Sequence, residues 1–381
     1  MRIDKEDLFQ WSLVHKEEQM ELLKELAAIP APSHQEEKRV DFISNWLKQQ
    51  GAEGVYVDEA RNVVLPFGCD GKDDITVYMA HTDVVFPDVD ALPVHEADGK
   101  LFAPGVGDDT ANVVALMLCA KYLLTNGCQP KEPVLIVFNS CEEGLGNLKG
   151  VRQIMADYRS RIRELVSFDC LYNEIFVRAV GSERWKVSAS TCGGHSYSAF
   201  GNPNAIAYLA ELVTKLYRQE LPKVEDRKVT YNVGSISGGT SVNTIAQNAE
   251  ILYEYRSDDK DCLALMRKQF MELVDAAQCP EASFEVTCIG ERPCGSDVPE
   301  EAHEKLISRS VEAIVTATGS CPIRRSASTD ANIPLSLGVP AVTFGLYMGD
   351  KMHTREEYVE IDSLETGLRI GLLMVTSHFE E

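Results

Sequence analysis

Five short segments of the chain carry residue types that do chemistry together. His81 and Asp83 follow the apolar run ITVYMA. Glu142 and Glu143 follow VLIVFNSC, Asp169 follows LVSF, and His353 lies a few residues past AVTFGLY. Asp108 and Asp109 sit in a glycine-rich stretch, GVGDD, just ahead of an apolar segment that starts at Asn112. Carboxylates gathered in one crevice repel and raise each other's pKa, so the set calls for cations. Two divalent ions with a shared hydroxide would neutralise Asp108, Glu143 and Asp169, with His81 and His353 completing the candidate ligands. Mixed imidazole and carboxylate ligation suits Zn²⁺, with Mn²⁺ or Co²⁺ as alternatives. Alternation along a strand places His81 and Asp83 on one face, from which Asp83 can fix the imidazole tautomer. Glu142 and Glu143 are successive and point different ways, so one can bind metal while the other faces the attacking water.

These residues need elements that aim them at one place. ITVYMA (75–80), VLIVF (134–138) and LVSF (165–168) are continuous apolar runs, as expected of strands buried on both faces. Residues 4–27 and 34–50 read as amphipathic helices parted by Pro30, Pro32 and Ser33, with Ser33 the expected cap of the second. Asn112–Leu124 reads as a further helix. Helix and strand alternate, which predicts a mostly parallel α/β sheet whose working crevice lies beyond the carboxyl ends of its strands.

The middle of the chain has a different pattern. Trp185–Ser190, Val229–Val233 and Ala249–Tyr255 alternate as half-exposed strands, with amphipathic helices near Ala205–Arg218 and Cys262–Gln278. This predicts a small antiparallel sheet with two helices, an α+β domain over residues 183–293, inserted into a catalytic domain made of 1–182 and 294–381. After Pro293 the α/β pattern returns with a helix near 301–317, then Asn332–Leu337, then an apolar strand at Ala341–Leu346.

Composition narrows the function. There are 37 Lys and Arg against 59 Asp and Glu, a formal net charge of −22, so nucleic acid and anionic lipid are poor partners. No run approaches the ~18 apolar residues of a membrane span. The first residues, MRIDKEDLFQ, lack an apolar signal core, and the 11 Cys are scattered with no CxxC pair. Reduced thiols in a cytoplasmic protein are the expectation.

In this order, HTDVV (81–85), GVGDD (105–109), CEEG (141–144), FD (168–169) and MHTREEYV (352–359) strongly resemble the M20 family of dinuclear zinc peptidases and amidohydrolases. STDANIPLSLGVPAVTFG (328–345) looks most like its tripeptide aminopeptidase T side. The resemblance covers essentially the whole chain. It implies that His81 and Asp169 serve one metal, Glu143 and His353 the other, that Asp108 bridges, and that Glu142 is the general base. It also implies a cis peptide at Asp108–Asp109. In the inserted domain, GGHSYSAFG (193–201) matches a segment whose histidine, here His195, reaches the active site of a partner subunit and polarises the scissile carbonyl. A homodimer is therefore implied. Asn243 and Arg256 match positions that hold substrate, Arg being a natural carboxylate fork. One departure stands out: many members read D-x-K-G where this chain has Asp108, Asp109, Thr110 and Ala111.

Simpler readings fit the other residues. His15, His34, His95, His303 and His378 lack carboxylate-bearing motifs and read as structural. GSISGGTS (234–241) lacks the Lys of a phosphate-binding loop. Cys141 abuts two carboxylates, which disfavour a thiolate, so it reads as packing. Three functional readings follow: a peptidase of small peptides, a deacylase of N-acyl amino acids, and a metal-binding homodimer without turnover.

Overall fold

A computed structural model describes residues 3–380. They form two compact units, one built from the chain up to Ala179 together with Ser296 onward, the other Val180–Gly295.

The first unit is organised by an eight-stranded mixed sheet. Its strand order is Tyr56–Val57, Val63–Phe67, Val134–Asn139, Ile75–His81, Ile162–Phe168, Ala341–Phe344, Glu174–Ala179, Ile323–Ala327. The three strands that end at chemical residues lie side by side and parallel, Ile75–His81 between Val134–Asn139 and Ile162–Phe168. Every residue of Ile75–His81 is buried. Alternation divides it between two cores: Tyr78 and Ala80 join the helices of one face, while Ile75, Val77 and Met79 pack on the other. Helices Lys5–Val14, Lys16–Ala27, Glu37–Gln49, Asn112–Thr125, Glu300–Thr318 and Ile361–Thr376 contribute to the first core; Lys149–Tyr158 and Asn332–Ser336 contribute to the second. All apolar positions of Asn112–Thr125 up to Leu123 are buried, the mark of a helix packed on most sides.

Three local readings are corrected. The first amphipathic stretch is two helices, broken at His15, whose ring stacks on Trp11 at 3.7 Å between centroids. The next helix starts at Glu37, and Ser33 does not cap it; the Ser33 hydroxyl donates instead to Asp83 at 2.7 Å. The strand ends at His81, so Asp83 is aimed by the turn beyond it and not by alternation. Three strands were not anticipated: Val63–Phe67 is apolar throughout but carries Pro66, while Glu174–Ala179 and Ile323–Ala327 are interrupted by charged or polar residues.

The second unit is a four-stranded antiparallel sheet ordered Val229–Gly238, Asn248–Ser257, Gly181–Ser190, Ser283–Arg292. Trp185, Val187, Ala189, Ile251, Tyr253 and Tyr255 alternate onto the face covered by helices Ala205–Leu216 and Lys260–Asp275. Each helix begins with a side-chain cap, Asn204 accepting from the Ile206 N–H and Asp259 from the Cys262 N–H.

Candidate metal centre

Five segments of the first unit deliver their side chains to one place. His81 ends its strand. Glu142 and Glu143 follow the strand Val134–Asn139, and Asp169 follows Ile162–Phe168. Asp108 sits in the turn Val106–Ala111, and His353 in the loop after Gly349–Asp350.

Asp108 is the centre of the geometry. Its Oδ1 lies 3.1 Å from His81 Nε2, and its Oδ2 lies 3.0 Å from His353 Nε2. His353 Nε2 is also 3.1 Å from Glu143 Oε1. Donor atoms of His81, Asp108, Asp109 and Asp169 lie within 4.8 Å of one another, as do those of Asp108, Glu143 and His353, and those of His81, Glu142 and Glu143. Two clusters thus share Asp108, one carboxylate oxygen facing each. Two donors that bind one tetrahedral ion at about 2.0–2.1 Å lie about 3.3 Å apart, close to the 3.0–3.1 Å spacings here. The donor set is two imidazoles and three carboxylates, so the residues present fit a pair of divalent cations.

The electrostatics say the same. Burial alone would push Asp108 up, but hydrogen bonds with His353 and His81 hold it well below the carboxylate range. Its contact with Asp108, then with Glu143, pushes the His353 imidazole up to about 11. Burial, then the Asp108 charge, pushes Glu143 up to about 8 and Asp169 up to about 7. Carboxyls that hold protons near neutrality lack enough positive charge in their surroundings, and cations would supply it.

Residues behind the cluster hold it. Asp83 is fully buried; its Oδ1 accepts from the Glu142 N–H at 2.9 Å and its Oδ2 from the Glu143 N–H at 3.0 Å. One carboxylate therefore fixes the backbone of both glutamates. His81 Nδ1 lies 3.1 Å from the Asp83 carbonyl, the contact that would hold the Nδ1 proton and free Nε2 for a cation once one is bound. Glu357 accepts from the N–H groups of Gly105 at 3.0 Å and of Gly107 and Asp108 at 2.8 Å each, closing the turn that presents Asp108. Gly105 has φ +73°, and a Cβ at Gly107 would meet the Tyr347 hydroxyl at 2.5 Å, so this turn requires glycine at both. The Asp108–Asp109 peptide is cis. Asp109 accepts from the His81 N–H at 2.8 Å. Thr110, at the departure from D-x-K-G, takes a hydrogen bond from buried Arg39 and gives one to the Gly105 carbonyl.

Sequence reasoning missed Glu357, Ser33, Arg39 and a buried pair, Asn139 and Asp330, joined at 2.7 Å. Glu357 lies within MHTREEYV, but nothing in that string says that the second of two glutamates turns inward. Cys141 is buried and donates to Glu36 at 3.1 Å; burial, then Glu36, pushes its thiol up to about 12, as a packing role requires.

The second unit holds the other candidates. His195 pairs with Thr244 across a two-stranded ladder, and the Ser196 N–H donates to the Asn243 carbonyl, so His195 and Asn243 are neighbours. His195 Nδ1 accepts from the N–H groups of Tyr197 and Ser198, which puts the ring proton on Nε2. Arg256 does not join them. Its guanidinium forks the carboxylate of Glu254 at 3.1 Å on both arms. It lies eight residues along the strand from Asn248, about 26 Å at 3.3 Å per residue.

Residues 77–377 match the model of peptidase family M20/M25/M40. The chain belongs to that family. It is an M20 metal-dependent hydrolase. Among curated relatives, the succinyl-diaminopimelate desuccinylase of Corynebacterium glutamicum is 24% identical over 354 residues, 90% of this chain and 92% of that protein. Among solved structures, a tripeptidase from Staphylococcus aureus superposes with a TM-score of 0.77 at 19% identity, covering 95% of this chain and 98% of its own. A dinuclear metal-binding M20 peptidase from Bacillus subtilis gives a TM-score of 0.62 at 14% identity, covering 96% and 99%. The M20 fold is thus shared along essentially the full length. No helix among the described residues is long and apolar enough to cross a membrane.

Proposed function

We propose that the protein hydrolyses amide bonds of small peptides, as a di- or tripeptide aminopeptidase, with two divalent metal ions, Zn²⁺ best suited, held by His81, Asp108, Glu143, Asp169 and His353. The observation that carries this reading is the Asp108 carboxylate, which directs one oxygen to each of two histidines. His81 and Asp169 would hold one ion, Glu143 and His353 the other, and Asp108 both. When bound, such a pair polarises the substrate carbonyl and lowers the pKa of water.

The chain's own residues do the rest. Glu142 takes the proton of the attacking water and returns it to the leaving nitrogen. Its backbone is fixed by Asp83, so the carboxylate is presented without a search. His195, with its proton on Nε2, is suited to donate to the developing oxyanion. We place it in the site of a second copy. The exposure around it supports an assembly: Tyr197 is 89%, Phe200 90% and Val242 103% exposed, an unusual run of bare apolar side chains. Asn243, beside His195, would contact the substrate. Arg256, which pairs with Glu254 across partly exposed side chains, is proposed to fork a substrate carboxylate in exchange for that partner.

A second reading is a deacylase of N-acyl amino acids, favoured by the desuccinylase similarity in sequence, whereas the tripeptidase similarity is in fold. A hydrolysis screen with Zn²⁺, Mn²⁺ or Co²⁺ over di- and tripeptides and N-acyl amino acids separates them. Turnover of peptides with a free amino end supports the first. Turnover of N-acyl amino acids alone replaces it with the second.

A further inference from the structure

Arg39 lies in the helix Glu37–Gln49, within a charged run (EEKRV), yet its own side chain is fully buried. A buried guanidinium stays charged and costs several kcal/mol to desolvate, so something around it must compensate. Its hydrogen bonds all go to neutral acceptors. Nε donates to the Ile29 carbonyl at 2.9 Å, while Nη1 alone reaches two partners, the Thr82 carbonyl at 3.1 Å and Thr110 Oγ1 at 3.0 Å. Nη2 is buried with no partner among the described residues. The compensation comes through space, from Asp83, Glu357 and Asp109. These are the carboxylates that hold the backbone N–H groups of the segments bearing Glu142, Glu143, Asp108 and His81.

The two partners of Nη1 are placed to matter. Thr82 lies between His81 and Asp83. Thr110 is two residues past Asp108, and its hydroxyl passes the connection on to the Gly105 carbonyl at 2.5 Å, across the turn that presents Asp108. A single nitrogen thus spans the two segments whose side chains meet at His81 Nε2 and Asp108 Oδ1. We infer that Arg39 is a positioning residue of the metal centre: it clamps the His81 turn to the Asp108 turn, and so sets the spacing of those two donors. The inference rests on the reading of His81 and Asp108 as metal ligands. It assigns to a helical arginine the function that a metal pair cannot perform before it binds, which is to keep the donors apart at coordinating distance.

The test is Co²⁺ binding by the full chain, measured by competition with a chromophoric chelator, with the visible Co²⁺ spectrum as a readout of ligand geometry. Arg39→Gln breaks both arms of the clamp and should weaken binding about 10–100-fold, the usual effect of losing support behind a ligand. Arg39→Lys keeps the charge but not the fork and should recover part of that loss. Thr110→Val removes one arm with the charge intact and should weaken binding about tenfold with an altered spectrum, while Thr110→Ser should match the wild type in both. The threonine pair decides the matter even if Arg39→Gln does not fold. Wild-type affinity and spectrum in Thr110→Val overturn the inference and leave the metal reading standing. A wild type that takes up no Co²⁺ overturns both.

Discussion

Asp83 gives the sharpest test of how the centre is held. Its buried carboxylate accepts the Glu142 and Glu143 N–H groups and the Ser33 hydroxyl, at 2.9, 3.0 and 2.7 Å. Hydrogen bonds to a charged acceptor contribute about 1.5–3 kcal/mol each, but three on one group are not additive. Removing one partner of a buried charged network costs about 3–5 kcal/mol, which sets the expectation for Asp83→Ala in metal-free protein. Asp83→Asn keeps the shape and one acceptor oxygen, but turns a donor toward an N–H or hydroxyl, so about half that loss is expected. Trp11 and Trp46 lie in the first unit and Trp185 in the second, so urea unfolding followed by tryptophan fluorescence, with Trp185→Phe as background, isolates the affected unit. Metal affinity should fall about 10–100-fold in the same variants. If both variants unfold within about 0.5 kcal/mol of the parent and bind metal as tightly, Asp83 does not hold the two glutamates, and the reasoning fails.

Other consequences follow from the same geometry. Glu142→Ala should abolish turnover, by about 10²–10⁴-fold, with metal content near wild type, whereas Glu143→Ala should lower metal occupancy as well; elemental analysis beside a peptide assay checks the difference. Asp330 is buried, and burial, then the Glu142 charge, raises its carboxyl well above the usual range. The folded state therefore binds this proton more tightly than the unfolded one, and the contribution of Asp330 to metal-free stability falls as pH rises above about 4. Asp330→Asn should be more stable than the parent at pH 7, with the gap closing toward pH 4; a gap that does not change with pH contradicts this. If His195 serves the neighbour's site, refolding an equal mixture of His195→Ala and Glu142→Ala should restore roughly a quarter of wild-type activity, since half the dimers are mixed and each has one intact site. No recovery places His195 elsewhere.

Much of this site was legible because buried parallel strands announce themselves as apolar runs, and the polar residues just past them are the ones aimed into the crevice. His81, Glu142, Glu143 and Asp169 were found that way, and Asp108 by its glycines. What was not legible depends on tertiary neighbours. Arg39 and Glu357 look like surface charges in a charged run, and only packing shows that one faces Thr82 and Thr110 and the other three backbone N–H groups. Ser33 has the right type and place for a helix cap, and a closer acceptor, Asp83, takes it instead. Arg256 sits where the resemblance expects a substrate fork, but the sequence pattern does not reveal that Glu254, two residues before it on the same strand, takes both arms.

The proposed chemistry depends on a pair of metal ions sharing Asp108. Its most direct measurement is the metal content of the full chain after chelation and reconstitution with Zn²⁺, alongside that of Asp108→Ala. Two ions per chain are expected for the wild type, one or none for Asp108→Ala, and no hydrolysis by chelated protein until metal is restored. A ceiling of one ion per chain in the wild type, or full activity after thorough chelation, would contradict it.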